Sequence, residues 1–318
     1  MSIPATNLRW PTSNIQIIKS GNRTSPIVFR SYGNEKVIID GEGLPGTPYG
    51  LGESLPNKGR GILHIEKGNC WKFHNLELIN GPYGAYARDA SHNYYELITT
   101  HDNYETGFQL EGASSNNTVL YLDSYRNRDP RKNGESADGF ACKSGEGEGN
   151  SLRNARLWDN VDDGLDLFMF GSSVTLEEVY AWGNGFNCWG FSEFNGDGNG
   201  FKLGITDNPP ANHVVRNCMA FANAEKGFID NGNPGALTVE RNTAWNNVSG
   251  DIEMASETSL ANRPTFRATL VSTSAAHAPH SRITSRLSTR APLRLPWSRP
   301  SRQLETRGSQ APGPTALS

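Results

Sequence analysis

The chain has 318 residues and a formal net charge of −3, enough for one large repeat domain or two ordinary ones. Four cysteines (Cys70, Cys142, Cys188, Cys218) without a CxxC pair or metal-type spacing imply no disulfide framework, and at most one or two bridges. No apolar run is long enough to span a membrane, Met1–Pro11 lacks the pattern of a secretory leader, and no nucleic-acid or membrane partner is expected.

In chain order, residues 12–40 read as short strands: Ile15-Gln-Ile-Ile, Pro26-Ile-Val-Phe and Val37-Ile-Ile, closed by a turn at Asp40-Gly41. A polar, glycine-rich loop follows to about Arg60. From Ile62 a degenerate repeat is visible, marked by a glycine ahead of an alternating apolar run. The glycines are Gly84, Gly107, Gly139, Gly164, Gly200, Gly227 and, less clearly, Gly250, and the shortest spacing is 23 residues. Longer spacings read as loops inserted into a unit of that length.

The position after the glycine holds Phe108, Phe140, Leu165, Phe201 and Phe228, and the third holds Leu110, Cys142, Leu167 and Leu203. Period two with bulky apolar residues on one side predicts a strand facing inward. The second position then points outward and exposes Asp166 and Lys202. Four residues before the glycine, where no insertion intervenes, stand Asn80, Asn103, Asn160, Asn223 and either Asn246 or Asn247, with Asn127 and Asn184 ahead of the longer spacings. Stacked amides can bond from coil to coil, so these predict an asparagine ladder at a solenoid corner. Tyr125, Trp158, Trp182 and Phe221 lie two positions earlier.

Short strands in units of about 23 residues, without helical periodicity, predict an all-β fold, a single-stranded parallel β-helix. The pattern stops near Ser256. Residues 256–318 hold nine arginines, two glutamates, no lysine and no aspartate, and 32 of the 34 glycines precede them. The expected division is a β-helix catalytic domain over 1–255, begun inside the solenoid, and a disordered Ser/Thr/Arg/Pro/Ala-rich tail over 256–318. Sequons at Asn22, Asn116 and Asn247 carry little weight.

The repeat register also places chemistry. Asp138 and Asp163 precede their glycines directly, and Asp166 and Lys202 follow theirs by two. Stacked coils then bring Asp163 beside Asp138 and Lys202 beside Asp166, about 4.8 Å apart. Asp138, Asp162, Asp163 and Asp166 would repel unless a cation lay among them. Oxygen-only ligands favour a hard ion, and calcium tolerates irregular geometry better than magnesium. The bland alternatives are a solvated acidic face and a surface salt bridge for Lys202. As a base, Lys202 would need a bound cation to offset the carboxylates that hold its proton.

Three segments carry a family resemblance: Ala137-Asp-Gly-Phe-Ala-Cys-Lys, Asp159-Asn-Val-Asp-Asp-Gly-Leu-Asp-Leu and Gly196-Asp-Gly-Asn-Gly-Phe-Lys-Leu-Gly. Together they resemble the motifs of polysaccharide lyase family 9 pectate lyases, over roughly residues 12–254. The resemblance implies a right-handed parallel β-helix, Asp138, Asp162, Asp163 and Asp166 as calcium ligands, and Lys202 as catalytic base. It also implies polygalacturonate as substrate, cleavage by β-elimination, extracellular action and a monomer. Two rival readings remain. A β-helix polygalacturonase-type hydrolase would show Gly-His-Gly and Arg-Ile-Lys, and neither string occurs. A non-catalytic glycan-binding or structural β-helix would leave Lys202 incidental.

Overall fold

A computed structural model of the protein describes residues 13–254 except 34 and 46, together with the backbone of Leu8–Arg9, Thr265–Arg267 and Leu270–Ser272. Parallel strands stack into two sheets, and the only helical segments among these residues are two single 3₁₀ turns. One sheet takes one short strand per coil: Ile15–Ile17, Leu63–Glu66, Ala85–Arg88, Phe108–Gly112, Phe140–Gly145, Leu165–Asp166, Phe201–Lys202, Lys226–Ile229 and Gly250–Glu253. Each is hydrogen-bonded to the next, so the strands at 12–40 form a first coil of the same solenoid.

The second sheet is bent rather than flat. One residue in left-handed conformation recurs within it at Asn75, Leu97, Tyr121, Asn154, Glu178, Asn217 and Arg241. It divides each long strand, as in Tyr94–His101 and Val174–Trp182, into two faces. Each such coil therefore has three strand faces.

Between the sheets, Phe108, Phe140, Leu165, Phe201 and Phe228 stack in register, all essentially inaccessible. Phe201 and Phe228 lie 4.5 Å apart, ring to ring. Outside, His101, Tyr125, Trp158, Trp182 and Phe221 form a second column of near-parallel rings at spacings of 4.2–5.6 Å.

The asparagine ladder runs through Asn103, Asn127, Asn160, Asn184, Asn223 and Asn247, each donating its Nδ2 to the next Oδ1 at 2.8–3.0 Å. It ends on Asp251 Oδ1. Two expected members shift. Asn80 lies one residue off the ladder, in the left-handed position shared with Asp102, Arg126, Asp159 and Asn246. Gly81 fills the slot and donates its backbone N–H to Asn103. Gly250 is likewise displaced, since Phe228 pairs with Ile252 and so Asp251 faces Gly227. The sequon at Asn247 falls inside the ladder, where its amide is consumed. All four cysteines are free.

Parallel pairing continues past residue 255: Thr265–Arg267 pairs with Thr238–Glu240, and Leu270–Ser272 with Thr243–Trp245. These two strands carry neither the glycine nor the asparagine mark. The rest of the expected tail lies outside the described residues.

Candidate active site

The glycine register sets the site. Backbone bonds Gly107 N–Asp138 O, Gly139 N–Asp163 O and Gly164 N–Asn199 O align Thr106, Asp138, Asp163 and Asn199 on successive coils. Two residues past the glycine, Asp166 pairs directly with Lys202. Both juxtapositions expected from the sequence are present.

Their surroundings differ from expectation. Asp166 and Lys202 point away from the solenoid core, yet they are 1% and 9% exposed. Lys143 and Lys202 lie against Asp166, and the long insertion between Asn184 and Gly200 meets Lys202 through Asp197. Its backbone donates to Asp162 Oδ1 from Asp197 (2.7 Å) and to Asp163 Oδ1 from Asn199 (2.7 Å), and Asn195 bonds to Asn133 of the preceding insertion.

Each of the four aspartates has one oxygen anchored by protein donors. Asp138 Oδ2 accepts from Thr106 Oγ1, Asp162 Oδ1 from Asp197 N, Asp163 Oδ1 from Asn199 N and Nδ2, and Asp166 Oδ1 from Phe168 N. Of the remaining oxygens, Asp138 Oδ1 is buried without a hydrogen-bond partner, and Asp163 Oδ2 is buried with only the Lys202 ammonium near it, at 3.3 Å. Orphaned buried carboxylate oxygens are costly unless something charged satisfies them. Asp138, Asp163 and Asp166 bring one oxygen each within 4.8 Å of one another, and Asp162, Asp163 and Asp197 form a second such group. Asp162 thus joins the cluster through Asp163 and not directly with the other two. This oxygen-only donor set fits a hard divalent ion of irregular coordination, as calcium is.

Lys202 Nζ lies 2.5 Å from Asp197 Oδ2, 3.3 Å from Asp163 Oδ2 and 3.9 Å from Asp166 Oδ2. A second lysine, Lys143, bonds Asp138 Oδ2 and Asp166 Oδ2 at 2.7 Å each. Burial pushes Asp138 and Asp162 upward, the latter strongly with Asp163 adding to it, and pushes Asp163 up to about 7. Burial works against both ammonium groups, but Asp163 and Asp166 beside Lys202, and Asp138 and Asp166 beside Lys143, outweigh it and hold both lysines above their ordinary value.

Lys143 and Asp197 were not singled out from the sequence. Lys143 was legible in principle, because it follows Gly139 by four and shares the outward parity of Asp166 and Lys202. Asp197 lies in an insertion with no periodicity; it falls inside the Gly196–Gly204 segment, where the register points to Lys202 alone.

A parallel β-helix carrying acid–lysine chemistry on one outer face is the class that fold and site define. A family model described as "Pel9A-like, right handed beta helix region" matches residues 6–264, and the chain belongs to that family. It is 63% identical over 258 residues to "Pectate lyase PEL9" of Emericella nidulans, covering 75% of this chain and 63% of that one. It is 44% identical over 263 residues to "Pectate lyase L" of Dickeya chrysanthemi, covering 78% and 60%. The chain thus spans less than two thirds of the length of either relative. The solved structure of pectate lyase Pel9A superposes with a TM-score of 0.68 at 34% identity, covering 87% of this chain and 67% of that one. A rhamnogalacturonan lyase structure shares the fold at 24% identity and a TM-score of 0.61.

Proposed function

We propose that this chain is a pectate lyase that cleaves polygalacturonate by β-elimination, with Lys202 as base and calcium held by Asp138, Asp162, Asp163 and Asp166. The observation that carries the reading is the Lys202 amine against Asp163 and Asp166, beside the bare oxygen Asp138 Oδ1. The relatives' names point to the same reaction class.

When bound, calcium would supply charge that draws a uronate carboxylate in and acidifies the neighbouring C5 proton. The chain's own residues do the rest. Thr106, Asn199 and the backbone N–H groups of Asp197 and Phe168 fix the aspartates, so their free oxygens are oriented before any ion arrives. Lys202 accepts the C5 proton in its neutral form, the C5–H electrons become the C4–C5 double bond, and the C4–O glycosidic bond breaks with its electrons on the departing oxygen, which takes up a proton. Asp163 and Asp166 outweigh burial and hold the proton on Lys202, so the amine can act as base only where the charge of these carboxylates is offset. The polymer lies outside cells, so extracellular action, by a monomer, belongs to this reading.

The test follows unsaturated uronide absorbance on polygalacturonate, with calcium and with a chelator. Calcium-dependent absorbance is expected from the parent chain, and loss of at least three orders of magnitude in Lys202→Ala. Lys202→Arg should recover little, because a guanidinium does not deprotonate in proteins. New reducing ends without absorbance would instead indicate a hydrolase, and binding without turnover a glycan-binding module.

A further inference from the structure

Lys143 meets the aspartate cluster two coils before Lys202, and both lysines approach Asp166 Oδ2. It stands on the strand Phe140–Gly145, its side chain is 15% exposed, and its Nζ bridges Asp138 and Asp166, which come from neighbouring coils. On Asp138 it shares the oxygen already taken by Thr106 and leaves Oδ1 bare. It therefore pins Asp138 without using the atom that remains free for an ion, whereas on Asp166 it holds Oδ2, the oxygen that Phe168 N leaves. Asp138, Asp162, Asp163, Asp166 and Asp197 against Lys143 and Lys202 leave three negative charges, of which a divalent cation neutralises two.

We propose that Lys143 is a positioning residue, an internal counter-ion that holds Asp138 and Asp166 at a fixed separation before metal enters and, by lowering the cluster's negative charge, biases the site toward a divalent over a trivalent ion. The inference rests on the calcium reading above. Without Lys143 the cluster carries four negative charges, most of them buried, where each charge interacts strongly. The carboxylates then repel one another more in the metal-free protein, and a trivalent ion gains more than a divalent one.

The experiment measures terbium binding by tryptophan-sensitised luminescence, and calcium by displacement of that terbium, for the parent chain, Lys143→Met, Lys143→Gln and Lys143→Arg. The terbium-to-calcium affinity ratio is expected to rise about tenfold or more in Lys143→Met and Lys143→Gln, and to stay near the parent value in Lys143→Arg. Metal-free melting temperature should fall in the two neutral variants. A lysine that only packed would weaken both ions equally and leave the ratio unmoved. An unchanged ratio in Lys143→Gln, with calcium still bound, overturns the inference. A parent chain that binds neither ion overturns the calcium reading, and the inference with it.

Discussion

Asp163 belongs to both oxygen clusters, and Asn199 commits one of its oxygens through two hydrogen bonds. Its burial and its acidic neighbours leave it more dependent on a cation than an exposed aspartate would be. Calcium at roughly 100 times its dissociation constant stabilises a folded protein by about 2.7 kcal/mol. Asp163→Ala should lose most of that gain. Thermal unfolding with and without calcium measures it, and a calcium shift as large as in the parent chain would remove Asp163 from the site. A second residue ties stability to pH. His213 is fully buried, its Nδ1 accepts from Val174 N, and burial pushes it down to about 3. The unfolded chain takes up this proton near pH 6.5 and the folded chain does not. The contribution of His213 is therefore complete above about pH 6.5 and is lost as pH falls toward 3, by about 1.4 kcal/mol per unit. Urea titrations at pH 7 and pH 4.5 should diverge less for His213→Gln than for the parent chain, and equal divergence would refute the assignment.

The glycine slot and the asparagine ladder, separate signals in the sequence, are one device in the coil. A Cβ on Gly164 would meet Asn184 Nδ2 and Gly200 O at 2.8 Å, and one on Gly139 would meet Asn160 Nδ2 at 2.8 Å. The slot is bare because the ladder amide and the next coil's carbonyl occupy its space, a close approach and not a bend. Gly164→Ala should accordingly destabilise by about 2 kcal/mol or more. Asn184 both accepts from Asn160 and donates to Asn223 and Leu157, so Asn184→Ala orphans buried partners on two coils. A loss of about 3 kcal/mol is expected, at roughly 1–3 kcal/mol for each unsatisfied group. Denaturant midpoints test both, and a variant within 0.5 kcal/mol of the parent, roughly the range of an ordinary surface change, would show that the ladder is dispensable. These marks were legible because glycine and asparagine answer demands few other residues meet. The left-handed corners at Leu97, Tyr121, Glu178 and Arg241 were not, because ordinary side chains hold them and the stacked coils impose the conformation.

At the scale of the molecule, the solenoid makes a site from residues that no single coil contains. Asp138, Asp163 with Asp166, and Lys202 come from three successive turns of the chain, so register alone brought them together on paper. Their burial could not be read that way. It depends in part on the insertion that brings Asp197 to Lys202, and insertions have no period to follow. The same stacking arranges the outer rings, and here it has an optical consequence. Trp158 and Trp182 lie 5.1 Å apart with planes 2° from parallel, between Tyr125 and Phe221. A change in coil-to-coil spacing alters the surroundings of both indoles without breaking a strand. Near-ultraviolet dichroism and indole emission should therefore register slippage between coils while the far-ultraviolet strand signal is unchanged, which makes the column a gauge of solenoid strain written into the chain's own chromophores.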